Sequence, residues 1–149
     1  MIRRAIGMAG LVVIIGLLAI QLVPYGRDHT NPPVLAEPKW DSPATRAYAV
    51  TACFDCHSNQ STWPWYTSIA PISWLVQHDV DEGRASLNFS EWGRGGEQEN
   101  PAEGMTEGGM PPFIYVLTHP SASFSDADRA AFLKGLNATF GGGGGGGGD

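Results

Sequence analysis

A C-x-x-C-H motif at residues 53–57 is the feature that most constrains the fold of this 149-residue chain. Its thiols, Cys53 and Cys56, stand at the spacing at which two cysteines bond to the two vinyl groups of one haem. His57 follows at once and reaches the iron from one face. The motif therefore predicts one covalent haem c, with His57 as the proximal ligand, and a chain folded around that group.

A C-x-x-C pair also occurs in redox dithiols, in zinc sites and in small disulfide loops. The chain has only two cysteines, which excludes a zinc site built from two such pairs. A zinc finger needs two closely spaced histidines, and His78 and His119 are far apart in the sequence. The sequence has no βαβ pattern of the thioredoxin kind. A redox dithiol is the main remaining alternative.

The N-terminal run from Ala5 to Val23 contains no charged residue and one polar side chain, Gln21. As a helix it is about 30 Å long, which matches the hydrocarbon core of a bilayer. Arg3 and Arg4 precede it, so the positive-inside rule sends the remainder of the chain outward. A cleaved signal peptide would have a shorter core and small residues at its end. We expect an uncleaved, single-pass anchor in the cytoplasmic membrane, with the following domain in the periplasm.

The exported part is strongly acidic. From Asp28 onward it contains six Lys/Arg and fifteen Asp/Glu, a formal charge of −9. It has no basic patch of the kind that binds nucleic acid. An acidic surface attracts a protein partner with a basic docking surface. No catalytic triad, carboxylate pair or phosphate-binding loop is present, so we expect an electron carrier rather than an enzyme.

Composition and periodicity predict one small, mainly α domain with long loops, preceded by one transmembrane helix. Ala44–Ala52 and Ile69–Glu82 are predicted helices, the second ended by Gly83. A terminal helix is predicted to begin after the N-cap Ser125. Gly93–Gly109 is predicted to be a mobile loop, with Pro101–Gly109 tightening around a ligand as the alternative for its second half. The expected segments are a membrane anchor at 1–27, a Pro-rich linker at 28–44, a haem-binding domain at 45–140 and a disordered glycine tail at 141–149.

The second axial position on the iron decides the chemistry, and Met110 is our prediction for it. The following Pro111-Pro112 stiffens the backbone around its thioether. Met105, with flexible neighbours, is the weaker methionine. His119 or His78 would give bis-histidine ligation, and His29 is a further histidine. An open sixth position is the other alternative.

Aromatic residues are dense after the motif. Trp63, Trp65 and Tyr66 are predicted to form part of a haem cage, with polar atoms that reach the propionates. Arg84 is the predicted cation for a propionate. The alternative is that these side chains serve ordinary core packing.

Several sequence motifs together resemble the bacterial haem-binding domain family of membrane-anchored monohaem c-type cytochromes. The resemblance runs from about Asn31 to Leu136. It rests on Asn31-Pro32-Pro33-Val34, Cys53-Phe54-Asp55-Cys56-His57-Ser58-Asn59, Trp63-Pro64-Trp65-Tyr66, Ala70-Pro71-Ile72-Ser73-Trp74-Leu75, Asp79-Val80, Gly83-Arg84, Leu87-Asn88-Phe89-Ser90-Glu91-Trp92 and Gly109-Met110-Pro111-Pro112. It implies periplasmic exposure, covalent haem c, His57 as proximal ligand and Met110 as distal ligand, but no substrate.

The function expected from these features is one-electron transfer at the outer face of the cytoplasmic membrane. Two alternatives stay open. One is a haem-based sensor or small peroxidase, which requires an accessible sixth position. The other is a structural haem subunit of a membrane complex.

Overall fold

The structure is a computed structural model that describes residues 2–94 and 98–141. Helix makes up 60% of it, and no strand forms among these residues. The chain divides into two compact units. The first comprises the residues up to Thr30 together with Thr62–Asp79, and the second comprises Asn31–Ser61 together with the residues from Val80 onward. The prediction of a mainly α fold behind an apolar N-terminal helix is confirmed. The four predicted segment boundaries stay a prediction, and residues 142–149 of the glycine tail lie outside the described residues.

The first unit contains helix α1 (Ile2–Ile20), which is long and apolar enough to cross a membrane. A 3₁₀ turn follows at Trp65–Ser68, and helix α4 (Ile72–Ser86) begins in this unit. None of the side chains of α1 is buried. This helix therefore has the length, composition and exposure of a single membrane span.

The second unit contains the remaining helices. These are α2 (Pro43–Ala52), α3 (Phe54–His57), α5 (Pro101–Thr106), α6 (Phe113–Thr118), a 3₁₀ turn at Pro120–Ala122 and α7 (Asp126–Phe140). A single bridge pairs Ala36 with Glu91. Long irregular segments connect these elements, in agreement with the Gly- and Pro-rich composition.

Local side-chain caps explain where helices α2 and α7 begin. The hydroxyl of Ser42 accepts a hydrogen bond from the Thr45 amide, and α2 starts between them. Ser125 caps α7 by accepting from the Asp128 amide, so the predicted N-cap is confirmed. An N-cap oxygen satisfies one of the amides that the first helical turn leaves unpaired.

The predicted helix over Ile69–Glu82 is shifted in the structure. Helix α4 begins at Ile72 and continues through Gly83 to Ser86, so the prediction that Gly83 ends the helix is wrong. Gly83 is buried within the helix. Because glycine has no side chain, the backbone of Cys56 can approach it closely. Ile72 and Leu75 of the predicted apolar face are exposed, whereas Val80 is buried.

The predicted mobile loop over Gly93–Gly109 contains helix α5. Asn100 caps this helix by accepting from the Ala102 amide, and Pro101 occupies its first turn. An Asn-Pro pair at a helix start is a recognised signal, because proline fits the first helical position. The loop prediction is therefore wrong for residues 101–106, and residues 95–97 lie outside the described part of the chain.

The core of the second unit is built from aliphatic and aromatic side chains of several helices. Its buried members are Ala49, Phe54, Leu87, Phe89, Ala102, Met105, Phe132 and Leu136. Phe89 is at the centre, stacked on Phe54 with ring centroids 5.5 Å apart. Trp40, Trp92 and Phe140 pack around the Phe89 ring. The motif residue Phe54 therefore anchors the C-x-x-C-H turn directly in this core.

Helices α2 and α7 approach each other closely at Gly135. A β-carbon at this position would lie 2.0 Å from the hydroxyl oxygen of Thr45. Thr45 is itself buried, so it has little room to move aside. Gly135 is therefore required for this helix contact rather than for a turn.

We predict that Gly135→Ala destabilises the protein by about 1–3 kcal/mol, because overpacking at the α2–α7 contact outweighs the helix propensity gained with alanine. Urea unfolding followed by circular dichroism measures the change. Lys134→Ala, on the exposed face of the same helix, should stay within about 0.5 kcal/mol of wild type. A Gly135→Ala protein as stable as wild type would contradict the close contact.

Candidate functional site

The C-x-x-C-H motif folds as a tight helical turn at the end of α2. Cys53 is the residue between α2 and α3, and its carbonyl accepts from the amides of Cys56 (3.2 Å) and His57 (2.8 Å). Phe54 points into the core, whereas Cys53, Cys56 and His57 stay partly exposed. Burial raises the pKa of the Cys53 thiol to about 12, and Cys56 adds to the shift. The turn thus holds Cys53, Cys56 and His57 close together at the edge of the core, which supports the turn through Phe54.

The imidazole of His57 has a fixed tautomer. Its Nδ1 lies 2.9 Å from the Gly83 carbonyl oxygen and 3.2 Å from that of Leu87. A carbonyl oxygen only accepts, so Nδ1 carries the proton and Nε2 keeps a free lone pair. Burial lowers the pKa of His57, which favours the neutral ring. This is the arrangement of an axial metal ligand whose second nitrogen is oriented by backbone.

Gly83 brings α4 against the motif. A β-carbon there would lie 2.6 Å from the carbonyl oxygen of Cys56 and 3.0 Å from its Cβ. The same glycine supplies one of the two carbonyls that orient His57. The sequence motif alone did not reveal this role, because a glycine near the end of a predicted helix is typical of a C-cap.

A cavity of about 250 Å³ opens beside the motif. Cys53 and His57 line one part of it, and Leu87 is a further wall residue. The segment from Glu99 to Met110 supplies much of the remaining lining, including Met105. The structure therefore brings the motif and the predicted distal ligand Met110 to one cavity.

The two methionines at the cavity differ in their surroundings. Met105 lies on α5 and is 3% exposed in the hydrophobic core, so its predicted flexible setting is wrong. Met110 is 40% exposed, and its amide donates to the Gly104 carbonyl at 3.1 Å. A methionine that is held by its backbone and only partly covered is available to coordinate a metal. A methionine in the core is already packed against its neighbours.

A polar contact joins the motif to α6, the helix that follows Met110. The Tyr115 hydroxyl donates to the Asp55 carboxylate at 2.8 Å, and burial and this neighbour raise the pKa of Tyr115. The His119 ring stacks on Tyr115 with centroids 4.1 Å apart, and its Nε2 lies 3.9 Å from Asp55. Asp55 is one of the variable positions of C-x-x-C-H, so the motif pattern gave no signal for this contact.

The histidines named as rival ligands are not among the residues that line the cavity. His119 is engaged by Tyr115 and Asp55 and does not line the cavity. His78 is exposed on the part of α4 that belongs to the first unit. His29, also in that unit, stacks on Trp63 with ring centroids 4.6 Å apart. Bis-histidine ligation therefore stays an untested alternative.

The residues of the predicted aromatic cage belong to the first unit, and they are not among the residues that line this cavity: Trp63, Trp65 and Tyr66. Trp65 is largely exposed and meets Tyr66 edge to face. Their role as haem contacts stays a prediction.

Arg84 has protein partners for its guanidinium. Nε donates to the Ser58 carbonyl at 2.9 Å, and Nη2 lies 3.1 Å from Asn31 Oδ1 and 3.0 Å from Ser61 Oγ. Burial lowers its pKa. These bonds secure the segment that follows the motif, and the predicted contact between Arg84 and a propionate stays a prediction.

The donor set formed by the C-x-x-C-H turn and the adjoining cavity fits a haem. The two thiols have the spacing for attachment, and His57 offers a free Nε2 from an imidazole held by carbonyls. Imidazole and thioether are established axial ligands of haem iron. The family model described as "Haem-binding domain" matches residues 15–138. The chain belongs to this haem-binding domain family. No curated protein and no solved structure matches the chain.

The match covers both units and therefore includes part of α1 as well as the motif. It confirms the resemblance and establishes haem as the cofactor. The structure adds four residues to the site that the sequence did not identify as part of it, because their contacts join positions far apart in the chain. They are Gly83, Leu87, Asp55 and Tyr115.

We predict that Gly83→Ala displaces Cys56 and weakens the hydrogen bond from His57 Nδ1 to the residue-83 carbonyl. The expected results are a shifted haem absorption spectrum and a loss of stability of about 1–3 kcal/mol. Absorption spectroscopy and thermal unfolding of the purified holoprotein measure them. Ala85→Ser, on the exposed side of α4, is the matched control and should leave both unchanged. A wild-type spectrum and melting temperature in Gly83→Ala would show that the close approach is not required.

Proposed function

We propose that this protein is a membrane-anchored monohaem c-type cytochrome that transfers single electrons in the periplasm. The observation that carries the proposal is the shared cavity of Cys53, His57 and Met110, with His57 Nδ1 fixed by two carbonyls. When bound, haem c supplies a one-electron couple between ferric and ferrous iron. The protein would provide the axial ligands of the haem, and it would set the reduction potential through burial of the haem and nearby charged side chains.

Each site residue has a distinct part in this proposal. Cys53 and Cys56 would hold the haem through thioether bonds, and His57 would be the proximal ligand through Nε2. Met110 would be the distal ligand, supported by its position in the cavity wall, by its partial exposure and by its backbone bond to Gly104. Because two backbone carbonyls hold the His57 ring, this ligand would move little when the iron changes oxidation state.

The proposed partner is a redox protein with a basic docking surface. Glu99 and Glu107 are exposed and line the cavity that also contains Met110. The part of the chain after Arg27 has a formal charge of −9 from six Lys/Arg and fifteen Asp/Glu. Acidic side chains beside a redox site attract a basic protein and speed its association at low salt.

The proposed location follows from α1 and the residues before it. Helix α1 is apolar enough to cross a membrane, and Arg3 and Arg4 precede its apolar run. Under the positive-inside rule these cations stay in the cytoplasm, so the haem domain is exported to the periplasm. Thioether bonds, once formed, do not undergo thiol–disulfide exchange, so covalent haem attachment would be stable in that oxidising compartment.

We predict that the haem is bound covalently. After denaturing gel electrophoresis, a haem-peroxidase stain should mark the wild-type chain, because thioether bonds survive denaturation. A Cys53→Ala, Cys56→Ala double variant should not be stained. Release of haem from the wild-type protein by acidified acetone would contradict covalent attachment.

We also predict that Met110 is the distal ligand. Met110→Leu removes the thioether at similar volume, so the iron should become five-coordinate or bind water, and the reduction potential should fall. Carbon monoxide should then bind the ferrous protein readily. Optical spectroscopy and a redox titration measure these changes.

Met105→Leu is the matched control for this experiment. It removes the other thioether at the cavity while keeping the core filled, and its spectrum and potential should stay close to wild type. If Met110→Leu keeps a six-coordinate low-spin spectrum, another residue is the ligand. Ready carbon monoxide binding by the wild-type ferrous protein would instead support a sensor or peroxidase with an open sixth position.

A further inference from the structure

The segment from Thr62 to His78 differs in character from the rest of the exported chain. It contains no Asp, Glu, Lys or Arg, although the part of the chain after Arg27 contains fifteen acidic residues. Four large apolar side chains in it are nevertheless exposed: Trp65 (78%), Leu75 (53%), Ile72 (44%) and Ile69 (42%). An uncharged segment with several exposed apolar side chains is typical of a contact surface.

The structure also fixes where this segment lies relative to α1. Gln21, the residue after α1, forms two hydrogen bonds through its side-chain amide with the backbone of Ala70. Its Nε2 donates to the Ala70 carbonyl at 2.8 Å, and its Oε1 accepts from the Ala70 amide at 3.0 Å. Ala70 is therefore one side-chain length from the end of the proposed membrane span, with the exposed Ile69 and Ile72 on either side of it in sequence.

Two further contacts fasten the segment to the chain that leaves α1. Gly26 has a positive φ of 76° and approaches Ser73 so closely that a β-carbon would lie 2.1 Å from the Ser73 carbonyl oxygen. The ring of His29 stacks on Trp63, and its Nε2 lies 3.3 Å from the Thr67 carbonyl oxygen. The segment is thus held at three places by the residues that directly follow the span.

We propose that residues 65–75 lie in the interfacial layer of the same membrane that α1 crosses, with Trp65, Ile69, Ile72 and Leu75 inserted at the boundary between headgroups and acyl chains. The occupant of this apolar surface is the lipid bilayer, because the surface is continuous with the outer end of the span through Gln21 and Ala70. This inference rests on the proposed membrane anchoring by α1.

The chemistry of the segment agrees with this assignment. Apolar side chains of interfacial segments insert about 5–10 Å into the boundary layer, and tryptophan is enriched there. Acidic side chains would be repelled by anionic headgroups, and the segment has none before Asp79. The second membrane contact would limit rotation of the first unit about the axis of α1.

Site-directed spin labelling of the full-length holoprotein in nanodiscs tests the proposal. Cysteine is introduced singly as Ile69→Cys, Ile72→Cys or Leu75→Cys, and the nitroxide is exposed to oxygen, which concentrates in lipid, or to a nickel chelate, which stays in water. Wild-type protein carried through the labelling gives the background from Cys53 and Cys56. Val13→Cys, in the middle of α1, is the lipid reference, and Thr30→Cys, beside Asp28, is the aqueous control within the same unit.

We expect the ratio of oxygen to nickel accessibility at residues 69, 72 and 75 to be several-fold higher than at residue 30, and lower than at residue 13. Accessibility to nickel equal to that of residue 30 would overturn the proposal. Low accessibility to both reagents would also overturn it, since it would mean that protein covers the surface. A water-accessible residue 13 would refute the anchor itself, so failure of the proposed function is distinguishable from failure of this inference.

Discussion

The hydrogen bond from His57 Nδ1 to the Gly83 carbonyl is the interaction on which the site depends. It fixes the tautomer, leaves Nε2 free and ties the motif to α4 at a distance of 2.9 Å. It can form only because position 83 has no side chain, since a β-carbon would collide with the backbone of Cys56. The Leu87 carbonyl gives the same nitrogen a second acceptor one turn later. A ligand oriented by two backbone carbonyls keeps its direction without relying on a mobile side chain.

The motif is supported from two other directions within the second unit. Phe54 stacks on Phe89 in the core, so the middle of the C-x-x-C-H turn is part of the hydrophobic packing. Asp55 accepts from Tyr115 of α6, which connects the turn to the helix that follows Met110. The two proposed axial ligands therefore belong to segments that contact each other. A small unit of this kind gains stability from any group that binds its folded form, so haem binding and folding are expected to be coupled.

Charge is distributed unevenly along the chain after Arg27. The proposed redox partner would meet an acidic region, and the proposed lipid contact lies in an uncharged one. Glu99 and Glu107 place carboxylates at the cavity, where a basic redox partner would be attracted. The uncharged segment before Asp79 is fastened by Gln21, Gly26 and His29 to the chain leaving α1, and its apolar side chains are exposed. One region is suited to transient, salt-dependent association and the other to lasting contact with lipid.

The sequence by itself determined the haem cofactor and the apolar N-terminal helix, and it proposed His57 as the proximal ligand, because these features depend on residues adjacent in the chain. The C-x-x-C-H spacing, the charge-free run after Arg4 and the Ser125 N-cap are all local signals. Tertiary structure decided what depends on residues far apart. In the structure, Gly83 is a close contact with Cys56 and not a helix end. Met105 lies in the core, whereas Met110 is partly exposed. Arg84 donates to three acceptors, on Asn31, Ser58 and Ser61. The physical reason is that the environment of a glycine or a methionine is set by segments that are distant in the sequence. Neighbouring residues alone do not show whether such a residue is buried in a contact or exposed.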